Sequence, residues 1–179
     1  MQRHRLVFAG SGGQGVVTAA IIFAEAAAVY EDLNAVQTQS YGAAARGGVT
    51  RAEIIISESQ IDFPRVNQPN TMVCLAQEAY NDYYRIIRPG GLLLMDSHFV
   101  DYKQKAEARQ ISLPMYSQLS RELESAPALN ICMLGALQEL TKLVKTESIL
   151  NSLSSRFSGE RLSMNEKALE IGRKLAFSF

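Results

Sequence analysis

The chain has 179 residues, 47% of them hydrophobic and 20% charged, and its 18 basic and 18 acidic side chains cancel to a formal net charge of zero. This length and composition indicate a single folded domain with a substantial core and exclude a disordered chain. The zero net charge argues against nucleic acid as the main partner, because phosphate binding needs an excess of lysine and arginine, and it suits a surface that another chain covers.

An uncharged stretch over residues 6–24 follows the basic start QRHR. Its middle, GSGGQG, is flexible and polar where a membrane span or the core of a signal peptide is continuously apolar. We therefore interpret the stretch as a strand, a turn and a helix, and we expect a cytoplasmic protein.

Up to residue 114 the pattern combines short strands with helices, as in an α/β domain. Short apolar runs predict the strands, and two longer runs with a helical period predict the helices. Residues 61–70, IDFPRVNQPN, contain two prolines and are predicted to form an irregular connection. The predicted strands cover 5–9, 35–39, 50–57, 71–76, 92–96 and 109–113, and the predicted helices cover 16–30 and 77–87.

Beyond residue 114 the pattern is helical, with predicted helices over about 116–125, 129–144, 146–156 and 163–176. The whole pattern predicts an α/β fold: a Rossmann-like, doubly wound, mostly parallel sheet with helices on both faces and a helical C-terminal segment. We expect residues 1–179 to form a single domain, with the sheet core in about 1–114 and the helical remainder, about 115–179, packed on it.

The strongest local motif is GSGGQG at residues 10–15. Gly10, Gly12 and Gly15 form a G-x-G-x-x-G pattern between a predicted strand and a predicted helix, and such a turn presents backbone N–H groups to an anion. The second strand lacks the acidic residue that would hold a ribose, which disfavours nicotinamide dinucleotides bound in the usual way. Two interpretations stay open: the glycines permit close helix–strand packing, or the turn holds another phosphate or carboxylate.

A second glycine-rich segment, SYGAAARGG at 40–48, follows the second predicted strand, at the sheet edge where ligands bind in α/β folds. Its Arg46 offers a planar guanidinium to a phosphate or carboxylate. Three roles stay open for this arginine: ligand contact, contact with another subunit, and pinning of the loop to a neighbouring acid.

No pattern for nucleophilic catalysis is present. Ser11 lies in G-S-G-G-Q-G rather than in G-x-S-x-G, and neither histidine has an evident partner. His98 follows the strand that ends at Asp96, and a loop histidine with satisfied hydrogen bonds is the favoured interpretation. Asp96 is predicted to be either a polar ligand or a cap of the following turn.

Cys74 and Cys132 lie in separate apolar runs and are predicted to be buried free thiols in a reducing compartment. Without a C-x-x-C the chain does not supply a four-cysteine iron–sulfur site by itself, and the isolated histidines argue against zinc. Three tyrosines at helical spacing are predicted to belong to the core, with a partner surface as the alternative: Tyr80, Tyr83 and Tyr84.

Together these residues resemble the gamma subunit, or gamma domain, of the 2-oxoacid:ferredoxin (acceptor) oxidoreductases. The pairing of GSGGQG with a downstream SYG and RGG is far more specific than either piece alone. The RAEIIIS and IDFPRV segments are most similar to the 2-oxoglutarate branch. The resemblance runs through GSGGQG (10–15), TQSYGAAARGG (38–48), RAEIIIS (51–57), IDFPRV (61–66), CLAQEAYNDY (74–83), RPGGLLLMDS (88–97), ALNICMLGAL (128–137) and NEKALEIGRKLA (165–176).

The resemblance implies a part of an enzyme rather than a whole one. Such complexes decarboxylate a 2-oxoacid on thiamine pyrophosphate with magnesium, pass electrons to an iron–sulfur acceptor such as ferredoxin, and form an acyl-CoA, here succinyl-CoA from 2-oxoglutarate. The resemblance implies alpha and beta subunits, with a ferredoxin-like delta subunit in a heterotetramer, as the partners of this chain. The gamma subunit holds no cofactor alone and helps to shape the coenzyme A side.

The resemblance carries over a set of cofactor-binding positions, with no catalytic residue and no metal ligand. Many relatives have a glutamate between SYG and RGG, where this chain has three alanines, so Arg46 is freer here or pairs elsewhere. The alternatives are the same role in a pyruvate, branched-chain or indolepyruvate oxidoreductase, and a free-standing nucleotide-binding protein. A β-branched residue at Gly12 is expected to distort the turn and lower the activity of the complex. The positions carried over are Gly10, Ser11, Gly12, Gly13, Gln14, Gly15, Tyr41 and Arg46.

Overall fold

A computed structural model describes residues 3–41, 48–102, 107–123 and 128–179 of the chain. The described residues form six strands and six α-helices, with a short 3-10 turn, Tyr84–Ile86, directly after the second helix. In chain order the elements are β1 (His4–Ser11), α1 (Val16–Tyr30), β2 (Asn34–Tyr41), β3 (Val49–Ser57), β4 (Thr71–Cys74), α2 (Gln77–Tyr83), β5 (Leu92–Asp96), β6 (Arg109–Leu113), α3 (Met115–Glu122), α4 (Leu129–Thr141), α5 (Thr146–Arg156) and α6 (Gly159–Ala176).

The strands form one sheet in the order β2–β3–β1–β4–β5–β6. Neighbours from β1 to β6 are parallel, whereas β3 runs antiparallel to both β1 and β2. The chain leaves β1 to form β2 and β3 on one side and returns at β4 on the other. β1 and β4 therefore flank the topological switch point, where ligands bind in doubly wound sheets. The predicted Rossmann-like, mostly parallel sheet is confirmed.

The antiparallel direction of β3 follows from the length of its connection. Residues 42–48 join β2 to β3, and parallel neighbours need a crossover of about a dozen residues or more. The missing helix between these two strands was already visible in the sequence, so their hairpin pairing was predictable from chain length alone.

Helices cover both faces of the sheet, as predicted, but unequally. On one face, α1 and the C-terminal helices join the sheet in one apolar cluster that includes Phe8, Phe23 and Leu134. On the other face, α2 packs over a smaller cluster that includes Val7 and Tyr80. Val7 and Phe8 point to opposite faces because successive strand side chains alternate.

The predicted core position of the tyrosines is confirmed. Tyr80 and Tyr84 are buried and stack with ring centroids 5.0 Å apart, and Tyr83 packs partly buried against the same cluster.

Several predicted boundaries are wrong for local reasons. The strand predicted over 71–76 ends at Cys74, because Ala76 is already the N-cap of α2. The helix predicted to 144 ends at Thr141, where Lys142 takes a positive φ of 50°. The helix predicted from 163 begins at Gly159. Glycine is typical of helix ends in a sequence, but here Gly159 is the first residue of the helix, with a positive φ of 57° that glycine tolerates.

The uncharged stretch over 6–24 is divided between β1, the glycine turn and α1, as expected. No helix in the four described ranges is both long and apolar enough to cross a bilayer.

Candidate functional site

The glycine turn lies at the carboxyl end of β1, directly before α1. β1 ends at Ser11, and α1 begins at Val16 after Gly15, whose φ of 72° places it in the left-handed region. Gly13, with φ of 89°, also takes a conformation that side chains rarely adopt. A side chain would strain the backbone at Gly13 and Gly15, which explains why these two positions are glycine.

The side chain of Gln14 closes the gap between the ends of β1 and β4. Its Oε1 accepts a hydrogen bond from the Ser11 N–H at 2.7 Å, and its Nε2 donates to the Leu75 carbonyl at 2.8 Å. Both ends of the amide are thus occupied within the chain, at the switch point where a dinucleotide pyrophosphate would lie. This arrangement agrees with the missing ribose acid in disfavouring the usual dinucleotide mode.

Asn130, in the first turn of α4, holds the other side of the turn. Its Nδ2 donates to the Gly15 carbonyl at 3.1 Å, and its side chain lies so close that a Cβ at Gly15 would come within 2.6 Å of Nδ2. Sequence reasoning missed this residue. Its signal is a polar side chain in the otherwise apolar run ALNICMLGAL, which the structure buries to 8% exposure.

Gly12 differs from its neighbours because it has no steric reason to be glycine. Its φ is not positive, and a Cβ there would have no atom within 4 Å. The expectation that a β-branched residue at Gly12 would distort the turn is therefore not supported by the geometry. The open space and the exposed backbone beside it are accessible to an incoming group.

The first turn of α1 offers unpartnered backbone donors to that space. Within the described residues, neither a side chain nor an acid in the first turn caps this helix. The N–H groups at the start of a helix carry partial positive charge, so an anion at Gly12 and Gly13 is favoured electrostatically.

The described start of the second glycine-rich segment lies at the same end of the sheet as the glycine turn. Gly10 of β1 is paired with Thr50 of β3, which is paired in turn with Tyr41 of β2, so Tyr41 is two strands, or roughly 10 Å, from the glycine turn. The structure therefore places Tyr41 at the same end of the sheet as the glycine turn. Arg46 lies outside the described residues, and its contact with a ligand or a subunit stays a prediction.

Asp96 acts as a structural cap at the neighbouring strand end. Its carboxylate is fully buried and accepts hydrogen bonds from the N–H groups of His98 and Tyr116, both at 2.8 Å. Burial raises the pKa of this carboxyl, and the two backbone bonds oppose that shift. Of its two predicted roles, the capping role is the one seen, and the His98 ring stacks on Tyr116 with centroids 4.4 Å apart.

The two cysteines are buried free thiols, as predicted, and they belong to opposite faces of the sheet. Burial raises the pKa of Cys74 to about 12 and raises that of Cys132 as well, so both thiols are protonated at neutral pH. Across the described ranges, no three His, Cys, Asp or Glu side chains come together as a metal site would require.

Comparison with known proteins gives one consistent group. A family model described as pyruvate ferredoxin/flavodoxin oxidoreductase matches residues 5–175. The 2-oxoglutarate synthase subunit KorC of Methanocaldococcus jannaschii is 38% identical to this chain, over 97% of the chain and 96% of the relative. The common gamma subunit of the pyruvate/ketoisovalerate oxidoreductases of Pyrococcus abyssi is 30% identical, over 90% of each.

Two solved structures share the fold. The gamma subunit of a keto/oxoacid ferredoxin oxidoreductase from Geobacter sulfurreducens superposes with a TM-score of 0.90 at 32% identity, covering 99% of this chain and 98% of that one. The 2-oxoglutarate:ferredoxin oxidoreductase of Magnetococcus marinus, solved with 2-oxoglutarate, coenzyme A and succinyl-CoA, superposes with a TM-score of 0.89 at 24% identity. That match covers 100% of this chain but 32% of the Magnetococcus chain, and at this identity it shows the shared fold alone.

Proposed function

The chain belongs to the pyruvate ferredoxin/flavodoxin oxidoreductase family, and we propose that it is the gamma subunit of a 2-oxoglutarate:ferredoxin (acceptor) oxidoreductase, which forms succinyl-CoA by oxidative decarboxylation. The observation that carries this choice is the 38% identity to a 2-oxoglutarate synthase subunit over nearly the full length of both chains. The pyruvate/ketoisovalerate gamma subunit, at 30% identity, is the less similar of the two.

The chain contributes to this enzyme as a partner rather than as the holder of its redox centres. Its two cysteines lie on opposite faces of the sheet, so they do not fit an iron–sulfur cluster. Its described residues contain no group of three His, Cys, Asp or Glu side chains, so they do not fit the metal of a bound diphosphate. In our proposal, alpha and beta subunits and a ferredoxin-like delta subunit hold thiamine pyrophosphate with magnesium and the iron–sulfur acceptor, in the cytoplasm. Thiamine pyrophosphate supplies the carbanion stabilisation of the reaction when it is bound.

The glycine turn is the part of this chain that we assign to the coenzyme A side. Gly12 and Gly13 leave open space beside unpartnered N–H groups, which suits a phosphate or carboxylate. Gln14 holds the turn rigid through its two hydrogen bonds, so the donors are positioned before the anion arrives. Tyr41 and Arg46, from the second segment, complete the proposed set with Gly10, Ser11 and Gly15.

The test is reconstitution of the complex from co-expressed subunits under anaerobic conditions. We expect CoA-dependent reduction of a viologen dye with 2-oxoglutarate in preference to pyruvate or branched-chain 2-oxoacids, and loss of that activity when this chain is omitted. Preference for another 2-oxoacid would reassign the substrate. Purification of the chain alone with a bound nucleotide would favour the free-standing nucleotide-binding alternative.

A substitution at Gly12 tests the turn separately. Because a Cβ at this position enters open space, we expect Gly12→Val to leave folding and assembly intact and to block the approach of an anion. We expect an increase of about tenfold in the KM for coenzyme A, with the KM for 2-oxoglutarate unchanged, and a smaller effect for Gly12→Ala. An unchanged KM for coenzyme A in Gly12→Val would refute the assignment of this turn.

A further inference from the structure

A continuous groove lined by arginines crosses the face of the sheet that carries Val7, where residues 61–70 form its wall. One part, of about 1040 Å³, extends over β2 and β3 from the start of β1 to Ser40 and Arg51, and the next part, of about 810 Å³, extends from Arg5 toward the turn before β5. The two parts share Arg5, Arg65 and Asn67. We call this feature the arginine groove and define it by four residues: Arg3, Arg5, Arg65 and Arg88.

The arginine groove has a local excess of positive charge in a chain whose net charge is zero. Glu53 is the acidic residue in its lining, and that carboxylate is already paired with Arg51 at 2.5 Å. Within the described part of the chain, the side chains of Arg5, Arg65 and Arg88 have neither an ion pair nor a hydrogen bond. Uncompensated like charges destabilise a folded chain, and a bound anionic group removes that cost.

The wall of the groove is an irregular segment that the sheet holds in place. The Arg51 guanidinium donates to the Val66 carbonyl at 2.8 Å, and Glu53 accepts from the Val66 N–H at 3.0 Å. These two hydrogen bonds fix the backbone of Val66, next to Arg65 and near Phe63. The Phe63 ring is therefore presented to solvent at 80% exposure on an anchored loop.

We propose that the arginine groove binds an acidic, extended segment of another subunit of the oxidoreductase, with Phe63 as the apolar anchor. This proposal rests on the proposed function for the existence of that partner. Exposed aromatic and arginine side chains side by side are the residue types that contribute most to protein–protein interfaces. The irregular wall and the long, open shape, with both polar and apolar lining, suit a peptide strand, whereas small-molecule sites are enclosed and mainly apolar.

The first experiment measures retention of this chain in the purified complex as salt rises from about 0.05 to 0.5 M, a range over which exposed charge pairs are screened. The variant is Arg65→Glu with Arg88→Glu, both at exposed positions. The control, Arg121→Glu with Arg161→Glu, makes the same change of net charge at exposed positions on α3 and α6. We expect the groove variant to bind the complex at least about tenfold more weakly, and the control to match the parent. Equal retention of the groove variant and the parent would overturn the proposal.

The second experiment identifies the occupant. A photo-crosslinking benzoylphenylalanine replaces Phe63 in the co-expressed complex, and the crosslinked peptide is read by mass spectrometry. We expect a segment rich in Asp and Glu from another subunit. Crosslinks to nucleic acid, to a second copy of this chain or to no macromolecule would overturn the proposal.

Different results refute the proposed function and the proposed role of the arginine groove. A parent complex that prefers another 2-oxoacid refutes the substrate assignment, and a salt-sensitive groove variant in that complex still supports the acidic partner. A complex that turns over 2-oxoglutarate and retains the groove variant as it retains the parent refutes the groove alone.

Discussion

At the scale of single residues, the glycine turn contains positions of different kinds. Gly15 is required by backbone conformation and by contact with Asn130, because a side chain there meets both a positive φ and an amide nitrogen. Gly10 faces Gln14 and Val16, with a Cβ only 2.6 Å from Gln14 Oε1. A Cβ at Gly12 would have no atom within 4 Å. A single motif thus combines residues that shape the turn with one residue whose smallness leaves room for a ligand.

This difference predicts unequal effects of two matched alanine substitutions on stability. Gly15→Ala is expected to lower the free energy of unfolding by about 2 kcal/mol or more, from the left-handed backbone and the overlap with Asn130. Gly12→Ala is expected to stay within about 0.5 kcal/mol of the parent. Urea unfolding followed by circular dichroism measures both, and equal losses would contradict the geometry.

His4 predicts a specific dependence of stability on pH. Burial, with the positive charge of Arg88, lowers the pKa of His4 from the ordinary 6.5 to about 4, and its Nε2 lies 3.1 Å from Thr71 Oγ1. As the pH falls, the unfolded state therefore takes up the proton on His4 before the folded state does. The free energy of unfolding has its full value above pH 6.5 and decreases as the pH falls toward 4.

The measurement is urea unfolding between pH 7 and 4 for the parent and for His4→Gln, which cannot titrate. We expect the parent to lose up to about 2 kcal/mol more than the variant over this range, a value discounted because the ring is partly exposed. Identical pH profiles would show that His4 has an ordinary pKa in the folded chain.

At the scale of elements, α4 and α6 pack more closely than side chains normally permit. Gly135 of α4 lies against the Leu169 carbonyl, and Gly172 of α6 lies against the Cys132 carbonyl, so that a Cβ at either glycine would overlap backbone atoms. This contact draws α6 onto the helix that carries Asn130. The packing of the C-terminal helices thereby supports the glycine turn from behind.

The close contact of α4 and α6 predicts that one added methyl group at Gly172 lowers the stability of the chain substantially. Gly172→Ala is expected to destabilise the chain by about 3 kcal/mol, because rigid backbone has to move apart. Glu166→Ala, at an exposed position of the same helix, is the control and is expected to change stability by less than about 0.5 kcal/mol. Thermal unfolding of both variants checks this, and a Gly172→Ala protein with the parent's melting temperature would contradict the packing.

At the scale of the whole molecule, we propose that residues 1–179 act as a single gamma-type domain. One apolar cluster contains Leu6 and Ile54 from the sheet together with Leu134 and Leu169 from the C-terminal helices. Because the two parts bury their apolar surfaces against each other, neither keeps its core when the other unfolds.

This shared core predicts one cooperative unfolding transition. Circular dichroism reports mainly on the helices, and tyrosine fluorescence, in a chain without tryptophan, reports on residues such as Tyr80 and Tyr84 on the opposite face of the sheet. We expect the two signals to give one urea midpoint. Two midpoints would show that the helical remainder unfolds apart from the sheet.

The sequence by itself determined the order and type of the elements, the buried cysteines and tyrosines, and the family resemblance. Each of these depends on local information, because hydrophobic period and the glycine motif lie in contiguous residues. The strand over 92–96 and the glycine turn were predictable for that reason. The roles of Tyr41 and Arg46 stay predictions.

Only the tertiary structure decided which distant residues meet. Gln14 closes the turn through Leu75, Asn130 holds Gly15 from another helix, and Asp96 caps the helix that carries Tyr116. Those contacts join residues that are far apart in the chain, and their partners are set by sheet order and helix packing rather than by local spacing. The arginine groove arises in the same way, since arginines from separate segments form one charged surface only when the sheet places them side by side.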